Sequence, residues 1–151
     1  MDSSTRQLLQ DVFRRESRSF MQYVRDAFPW VPEEERDALD AIDQMSKEEE
    51  EAVVELGRFL VRHRVPLPYI GTFPMSFTSF NFVSLDHLLR VLVEHQQREL
   101  NQVERDLTCI STSAYRAPVE RIVEIKKRHL QELEELAAKH KVHQSEAAKA
   151  S

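Results

Sequence analysis

Glycine is scarce in this sequence, since only Gly57 and Gly71 occur among its 151 residues. A β-sandwich or β-barrel of this length needs many more turn residues, so the composition argues against an all-β fold. The single cysteine, Cys109, cannot form an intramolecular disulfide and fits a reducing cytoplasm. No run approaches the ~20 apolar residues that span a bilayer, and no secretory signal is visible. We therefore expect a cytoplasmic protein that does not enter a membrane.

Positive charge is also in deficit, because the net charge is -5. An acidic chain is a poor non-specific ligand for DNA or RNA, so we expect no nucleic-acid partner. Hydrophobic residues make up 41% of the chain and charged residues 31%, which suffices for one core and its solvated surface. The length fits a single domain, which we place at residues 1–140, followed by a flexible tail at 141–151.

Apolar residues recur at three- and four-residue spacing in four segments, which predicts four α-helices. We place them at about 5–28, 33–63, 84–107 and 118–140. Pro29 and Pro32 end the first helix, and Pro66 prevents the second from continuing. Ser84 is suited to cap the third helix, and Pro118 is suited to the first turn of the fourth. The predicted fold class is therefore all-α.

The link between the second and third helices, residues 64–83, is long for a compact domain. Fully extended, it reaches roughly 60 Å, whereas the predicted helices are roughly 33 to 45 Å long. The link can therefore cross the length of a bundle and let the second and third helices run parallel. The other two links are short and predict antiparallel hairpins. Together they predict an antiparallel four-helix bundle with one long crossover between helices 2 and 3.

The crossover is rich in phenylalanine: it contains Phe73, Phe77, Phe80 and Phe82. One interpretation is that these rings seal the crossover onto the bundle as part of its core. The alternative is an exposed apolar patch that binds a protein partner or a second copy of the chain, as in a homodimer.

Charged residues interrupt the predicted apolar stripes, although burying an unpaired charge is costly. Glu16 lies in the stripe of the first helix and the acidic run 48–51 in that of the second. Lys126 lies in the stripe of the fourth helix, while Glu94 and Glu99 border that of the third. These positions predict a polar site inside the bundle.

With these charges the chain resembles the ferritin-like superfamily, the rubrerythrin and ferritin four-helix bundles. That family holds two iron or manganese ions with one glutamate on each of two helices and a Glu-x-x-His pair on the other two. The resemblance implies a ferritin-like topology and a metal site in which Glu94 or Glu99 supplies the third-helix carboxylate. The implied ligands are Glu16, Glu48, Glu51, Glu94 and His129.

The sequence departs from the family pattern at two positions. Glu51 stands where the second-helix histidine belongs, and Lys126 stands three residues before His129 in place of a glutamate. A lysine repels a divalent cation, but it can form an ion pair with Glu16 or Glu51. Three interpretations remain open: a working di-metal centre, a metal-free internal polar network, and plain solvent-exposed charges.

Three functions follow from these interpretations. The first is a non-catalytic binding or scaffold protein with a lost di-metal centre and no cofactor. The alternative is a di-iron or di-manganese carboxylate protein of the oxidase or iron-handling class. A third is a helical adaptor that acts through the Phe-rich crossover.

Overall fold

The computed structural model describes residues 1–27, 32–80 and 84–150 of the chain. Across these residues the α-helices are α1 (Ser3–Ser17), α2 (Phe20–Ala27), α3 (Arg36–Arg62), α4 (Leu85–Thr108) and α5 (Ser113–Ala150). Two short 3₁₀ helices, Glu33–Glu35 and Met75–Phe80, lie in the connections. The described residues contain no β-strand, so the all-α prediction is confirmed. None of the described helices combines the length and the apolar character that a membrane crossing requires.

The first predicted helix, at about 5–28, is observed as two helices, α1 and α2; residue 28 lies outside the described residues. Two serines account for the break. The Oγ of Ser17 donates to the carbonyl oxygen of Phe13 at 2.7 Å, and the Oγ of Ser19 accepts from the backbone N–H of Gln22 at 3.3 Å. Side-chain bonds of this kind compete with the helical backbone ladder and favour a helix end followed by a new start.

The other predicted helices correspond to α3, α4 and α5 with shifted ends. α3 follows the 3₁₀ helix Glu33–Glu35 and ends at Arg62. Ser84 caps α4 as predicted, because its Oγ accepts from the backbone N–H of His87 at 3.3 Å. α5 begins at Ser113, five residues before the predicted start, and continues to Ala150 through the predicted flexible tail. Ser151 lies outside the described residues.

Buried apolar side chains form two clusters, which we call clusters A and B. Cluster A joins α1 with the later parts of α3 and α4 and the earlier part of α5; its members include Leu9, Val12, Leu56, Leu60, Val103, Val119 and Ile122. Cluster B joins α2 with the earlier parts of α3 and α4 and a later part of α5; its members include Phe20, Val24, Ile42, Met45, Leu88, Leu92 and Leu133. Four buried charged side chains, Glu16, Glu49, Lys126 and His129, lie between the cluster A and cluster B residues of their helices, whereas the buried Asp106 lies beside cluster A and pairs with Arg15.

The crossover packs against cluster B through part of its phenylalanine set. The ring of Phe77 meets that of Phe20 edge to face, with centroids 5.0 Å apart, and Phe73 meets Tyr23 at 5.4 Å. Phe77 is buried and Phe73 half-buried, so Phe77 is part of the core cover rather than a surface for a partner. Phe82 and the side chain of Phe80 lie outside what the structure describes.

Removing the Phe77 ring should destabilise the fold through the loss of this cover. We expect Phe77→Ala to lower the free energy of unfolding by about 3–4 kcal/mol, as for other buried phenylalanines. Met75 in the same 3₁₀ helix is 85% exposed, so Met75→Ala should change it by less than about 0.5 kcal/mol. Urea unfolding followed by circular dichroism measures both. Equal effects of the two substitutions would contradict a packed crossover.

Candidate functional site

A layer of polar side chains is buried between the two apolar clusters. Its central members are Lys126, which is 1% exposed, and His129, which is fully covered. They lie one helical turn apart on α5. A buried ammonium or imidazolium needs partners of opposite charge, since an unpaired charge in the interior costs several kcal/mol.

The ammonium group of Lys126 meets three carboxylates, each from a different helix. Its Nζ lies 2.9 Å from Oε2 of Glu16 on α1 and 3.0 Å from Oε1 of Glu49 on α3. Oε1 of Glu99 on α4 is 3.6 Å away, an ion-pair rather than a hydrogen-bond distance. Burial opposes the charge, but these carboxylates outweigh it and raise the pKa of Lys126 well above its usual value. One side chain of α5 therefore links α1, α3 and α4.

Both ring nitrogens of His129 face carboxylates. Nδ1 lies 2.7 Å from Oε2 of Glu49, and Nε2 lies 3.1 Å from Oε2 of Glu48. Ionised carboxylates only accept hydrogen bonds, so this geometry fits an imidazolium that donates from both nitrogens. Burial alone lowers the pKa of His129, but the bonds to Glu49 and Glu48 reverse this and raise it. Glu48 also pairs with Arg128 at the surface.

Glu49 is the best-satisfied carboxylate of the layer. Besides Lys126 and His129, it accepts a hydrogen bond from Nε2 of Gln96 at 3.0 Å. The same Gln96 nitrogen lies 3.3 Å from the backbone carbonyl oxygen of Lys126, which holds α4 against α5. Burial opposes ionisation, but the Lys126 charge and the His129 bond lower the pKa of Glu49 to about 2.

Glu16 is the poorly satisfied carboxylate. Its Oε1 is buried and has no hydrogen-bond partner among the described residues. Burial, together with the neighbouring charges of Glu99 and Glu49, raises the pKa of Glu16 to about 7 against the influence of Lys126. The charge balance explains the direction: Glu16, Glu48, Glu49 and Glu99 meet the Lys126 ammonium, the His129 imidazolium and Arg128, which leaves one excess negative charge that a proton on Glu16 removes.

The predicted site residues are only partly brought together. Glu16 and His129 lie in the layer, and Glu48 reaches it from a half-buried position. Glu51 and Glu94 are exposed and do not belong to it. The interpretation of all these charges as solvent-exposed is wrong for Glu16, and Lys126 points inward.

Glu49 and Gln96 are the members of the layer that sequence reasoning missed, and Glu99 was only an alternative. The helical spacing indicates that Glu49 is buried, because it lies four residues after Met45 and three before Ala52 on the buried face of α3. Glu48 lies one residue before Glu49 and Glu51 two residues after it, so neither shares its position on the helix face. A run of four glutamates hides a shift of one residue, since every member has the same chemistry.

The layer does not fit the pair of iron or manganese ions that the ferritin-like resemblance implies. Glu16, Glu49, Glu99 and His129 carry suitable donor atoms. However, the Lys126 ammonium lies between the carboxylates, and both nitrogens of His129 are engaged by Glu49 and Glu48. Within the described ranges, no group of three or more His, Cys, Asp or Glu side chains is arranged to hold a metal ion.

The fold and the layer together define an all-helical protein with a carboxylate-surrounded lysine at its centre. Comparison of the chain with protein-family models, curated proteins and solved structures gives no significant match.

Removing the Lys126 ammonium should destabilise the protein, because it leaves the buried Glu16 and Glu49 and the half-buried Glu99 without their cation. We expect Lys126→Met to lower the free energy of unfolding by about 3–5 kcal/mol at neutral pH. The matched control is Lys127→Met, since the Lys127 side chain is 60% exposed; its effect should stay below about 0.5 kcal/mol. Chemical denaturation compares the two, and equal stabilities would refute a structural role of the ammonium.

The pKa shifts of the layer give the pH dependence of stability a definite sign. The pKa of Glu16 rises from 4.5 to about 7 on folding. The contribution of Glu16 to the free energy of unfolding therefore falls as pH rises between these values. The raised pKa of His129 acts in the same direction above its ordinary value of 6.5. The contribution of Glu49 depends on pH in the opposite direction. Glu49 stabilises the fold above pH 4.5, and this stabilisation is lost as pH falls toward about 2.

We expect the wild-type free energy of unfolding to decrease from about pH 5 to about pH 8. Glu16→Gln cannot titrate, so it should reduce that decrease by about 2–3 kcal/mol. Glu94→Gln on the exposed face of α4 is the control and should leave the pH profile unchanged. Urea titrations at several pH values supply the measurement. A Glu16→Gln profile that parallels the wild type would count against the buried, proton-sharing carboxylate.

Proposed function

We propose that the protein is a non-catalytic binding or scaffold protein built on a ferritin-like four-helix bundle. In this bundle an ammonium-centred ion cluster stands where metal-containing relatives of that class hold two metal ions. The observation that carries the proposal is the place of the Lys126 Nζ, within 3.0 Å of carboxylates on both α1 and α3.

The order in which the helices visit the two apolar clusters supports the ferritin-like topology. In chain order, α1 and α2 run from cluster A to cluster B, and α5 runs in the same direction. α3 and α4 both pass from cluster B to cluster A. On this account α3 and α4 run parallel, and the segment between them returns along the bundle. That is the one long crossover of the ferritin-like class.

The register of the polar layer supports the same family. Glu16 and Glu99 take the places of the single glutamates on the first and third helices. Glu49 takes the glutamate position of the second-helix Glu-x-x-His pair, and His129 takes the histidine position of the fourth. Two positions depart from the pattern, because Ala52 stands for a histidine and Lys126 for a glutamate.

These two departures convert a cation site into a self-neutralising one. Exchange of a glutamate for Lys126 removes one negative charge and adds a positive one, so the side chains themselves balance most of the remaining negative charge and a proton on Glu16 can balance the rest. Lys126 and His129 are at most 1% exposed, so a substrate has no direct access to them. Glu16 is 3% exposed and lines one end of a cavity of about 400 Å³ beside Ser17 and Gln22. The cluster therefore serves to hold the helices in register, which suits a binding or scaffold role.

Metal analysis tests the proposal directly. We expect wild-type protein, produced with iron and manganese in excess and then passed over a chelating resin, to contain far less than one ion per chain. The double substitution Ala52→His with Lys126→Glu restores the family's ligands at both departing positions. We therefore expect the iron or manganese content of this variant to rise toward two ions per chain. Inductively coupled plasma mass spectrometry measures both.

The control adds Glu16→Ala to the double variant, which should lower its metal content again because one ligand is lost. Circular dichroism confirms that each variant is helical. Near-stoichiometric iron or manganese in the wild type would overturn the proposal and favour the di-iron or di-manganese alternative.

A further inference from the structure

The outer face of α3 carries apolar side chains that the described chain leaves uncovered. Val54 is 42% exposed and Val61 59%. With Phe13, Gly57 and Leu67 they line an open groove of about 490 Å³ between α1, α3 and the start of the crossover. Apolar surface of this kind, flanked by charge, is typical of a protein-binding face.

Beside this groove α3 carries four charges in an ordered pattern. Glu51 and Glu55 lie on the N-terminal side of Gly57, and Arg58 and Arg62 lie on its C-terminal side. All four are exposed, and none forms an ion pair within the part of the chain that the structure describes. Each sign repeats at a spacing of four residues, so like charges are neighbours and repel one another, while Glu55 and Arg58 are neighbours of opposite sign at the centre of the pattern. An opposite charge from outside the chain would relieve both pairs.

The pattern is self-complementary when the helix is turned end over end. In an antiparallel pair centred on Gly57, Glu51 faces Arg62 of the partner subunit and Glu55 faces Arg58 of the partner subunit. The same pairing sets Val54 against Val61 of the partner subunit, within about one residue, or 1.5 Å, of the same level. Gly57 marks only the level of the crossing: it is buried, and a Cβ there would lie 2.8 Å from Cε2 of Phe13, so the exposed side chains on either side of it would make the contact.

We propose that a second copy of this chain packs on α3, antiparallel and related by a two-fold axis that passes near Gly57. A two-fold interface brings the same patch of each subunit together, so it requires the mirrored acidic and basic halves that α3 carries. A foreign acidic helix needs only Arg58 and Arg62 and gives no role to Glu51 and Glu55. The proposal is independent of what lies at the centre of the bundle.

Charge reversal and mixing test the proposal on the full chain. Variant one is Arg58→Glu with Arg62→Glu, and variant two is Glu51→Lys with Glu55→Lys. We expect the wild type to have about twice the 17.7 kDa chain mass in sedimentation equilibrium at micromolar concentration. Each variant alone should be a monomer, because the interface then faces four like charges with four more. An equimolar mixture should recover the dimer, because every facing pair is then opposite in charge.

Two controls separate the interface from general effects of charge and folding. Arg98→Glu with Lys139→Glu makes the same change in net charge at exposed positions on α4 and α5, so it should remain a dimer. Val61→Asp should be a monomer that neither charge variant rescues, since it removes the apolar contact. Far-ultraviolet circular dichroism checks that all variants are folded.

A monomeric wild type would overturn the proposal. So would variants that dimerise alone as well as the wild type does, or folded variants whose mixture stays monomeric.

Discussion

The Lys126 ammonium group constrains the arrangement of the described helices more than any other single group. Its backbone belongs to α5, while its nitrogen contacts carboxylates from α1, α3 and α4. A buried ammonium is costly without such partners, so three helices must present a carboxylate at one level. Apolar clusters A and B tolerate small slides of one helix past another, but the ion cluster does not. We infer that it sets the helix register, whereas the apolar clusters supply most of the stability.

The charges of the site alternate from the interior to the surface. Lys126 contacts Glu49, Glu49 contacts His129, His129 contacts Glu48, and Glu48 contacts Arg128. This order explains why the pKa of His129 is raised and that of Glu49 is lowered, since each lies between groups of opposite sign. α3 has a role on both of its faces: Glu49 joins the interior cluster, and the outer face carries the proposed dimer contact.

Sequence patterns predicted the helices better than they predicted the site. Helix periodicity and proline positions were sufficient for four helical segments, because both act locally. The break at Ser19 depends on a side-chain bond that competes with an ordinary helix, and apolar spacing does not report it. Lys126 was identified because a lysine in an apolar stripe is unusual. Glu49 was not, because its neighbours Glu48 and Glu51 have the same chemistry and only packing selects one of them.

Nuclear magnetic resonance of the lysine side-chain ¹⁵N groups tests the central claim most directly. A buried, hydrogen-bonded ammonium exchanges its protons with water far more slowly than an exposed one. We expect one sharp ammonium signal at neutral pH, absent from Lys126→Met and present in Lys127→Met. If every lysine ammonium exchanges at the rate of an exposed side chain, Lys126 does not lie at the centre of the ion cluster and the account fails.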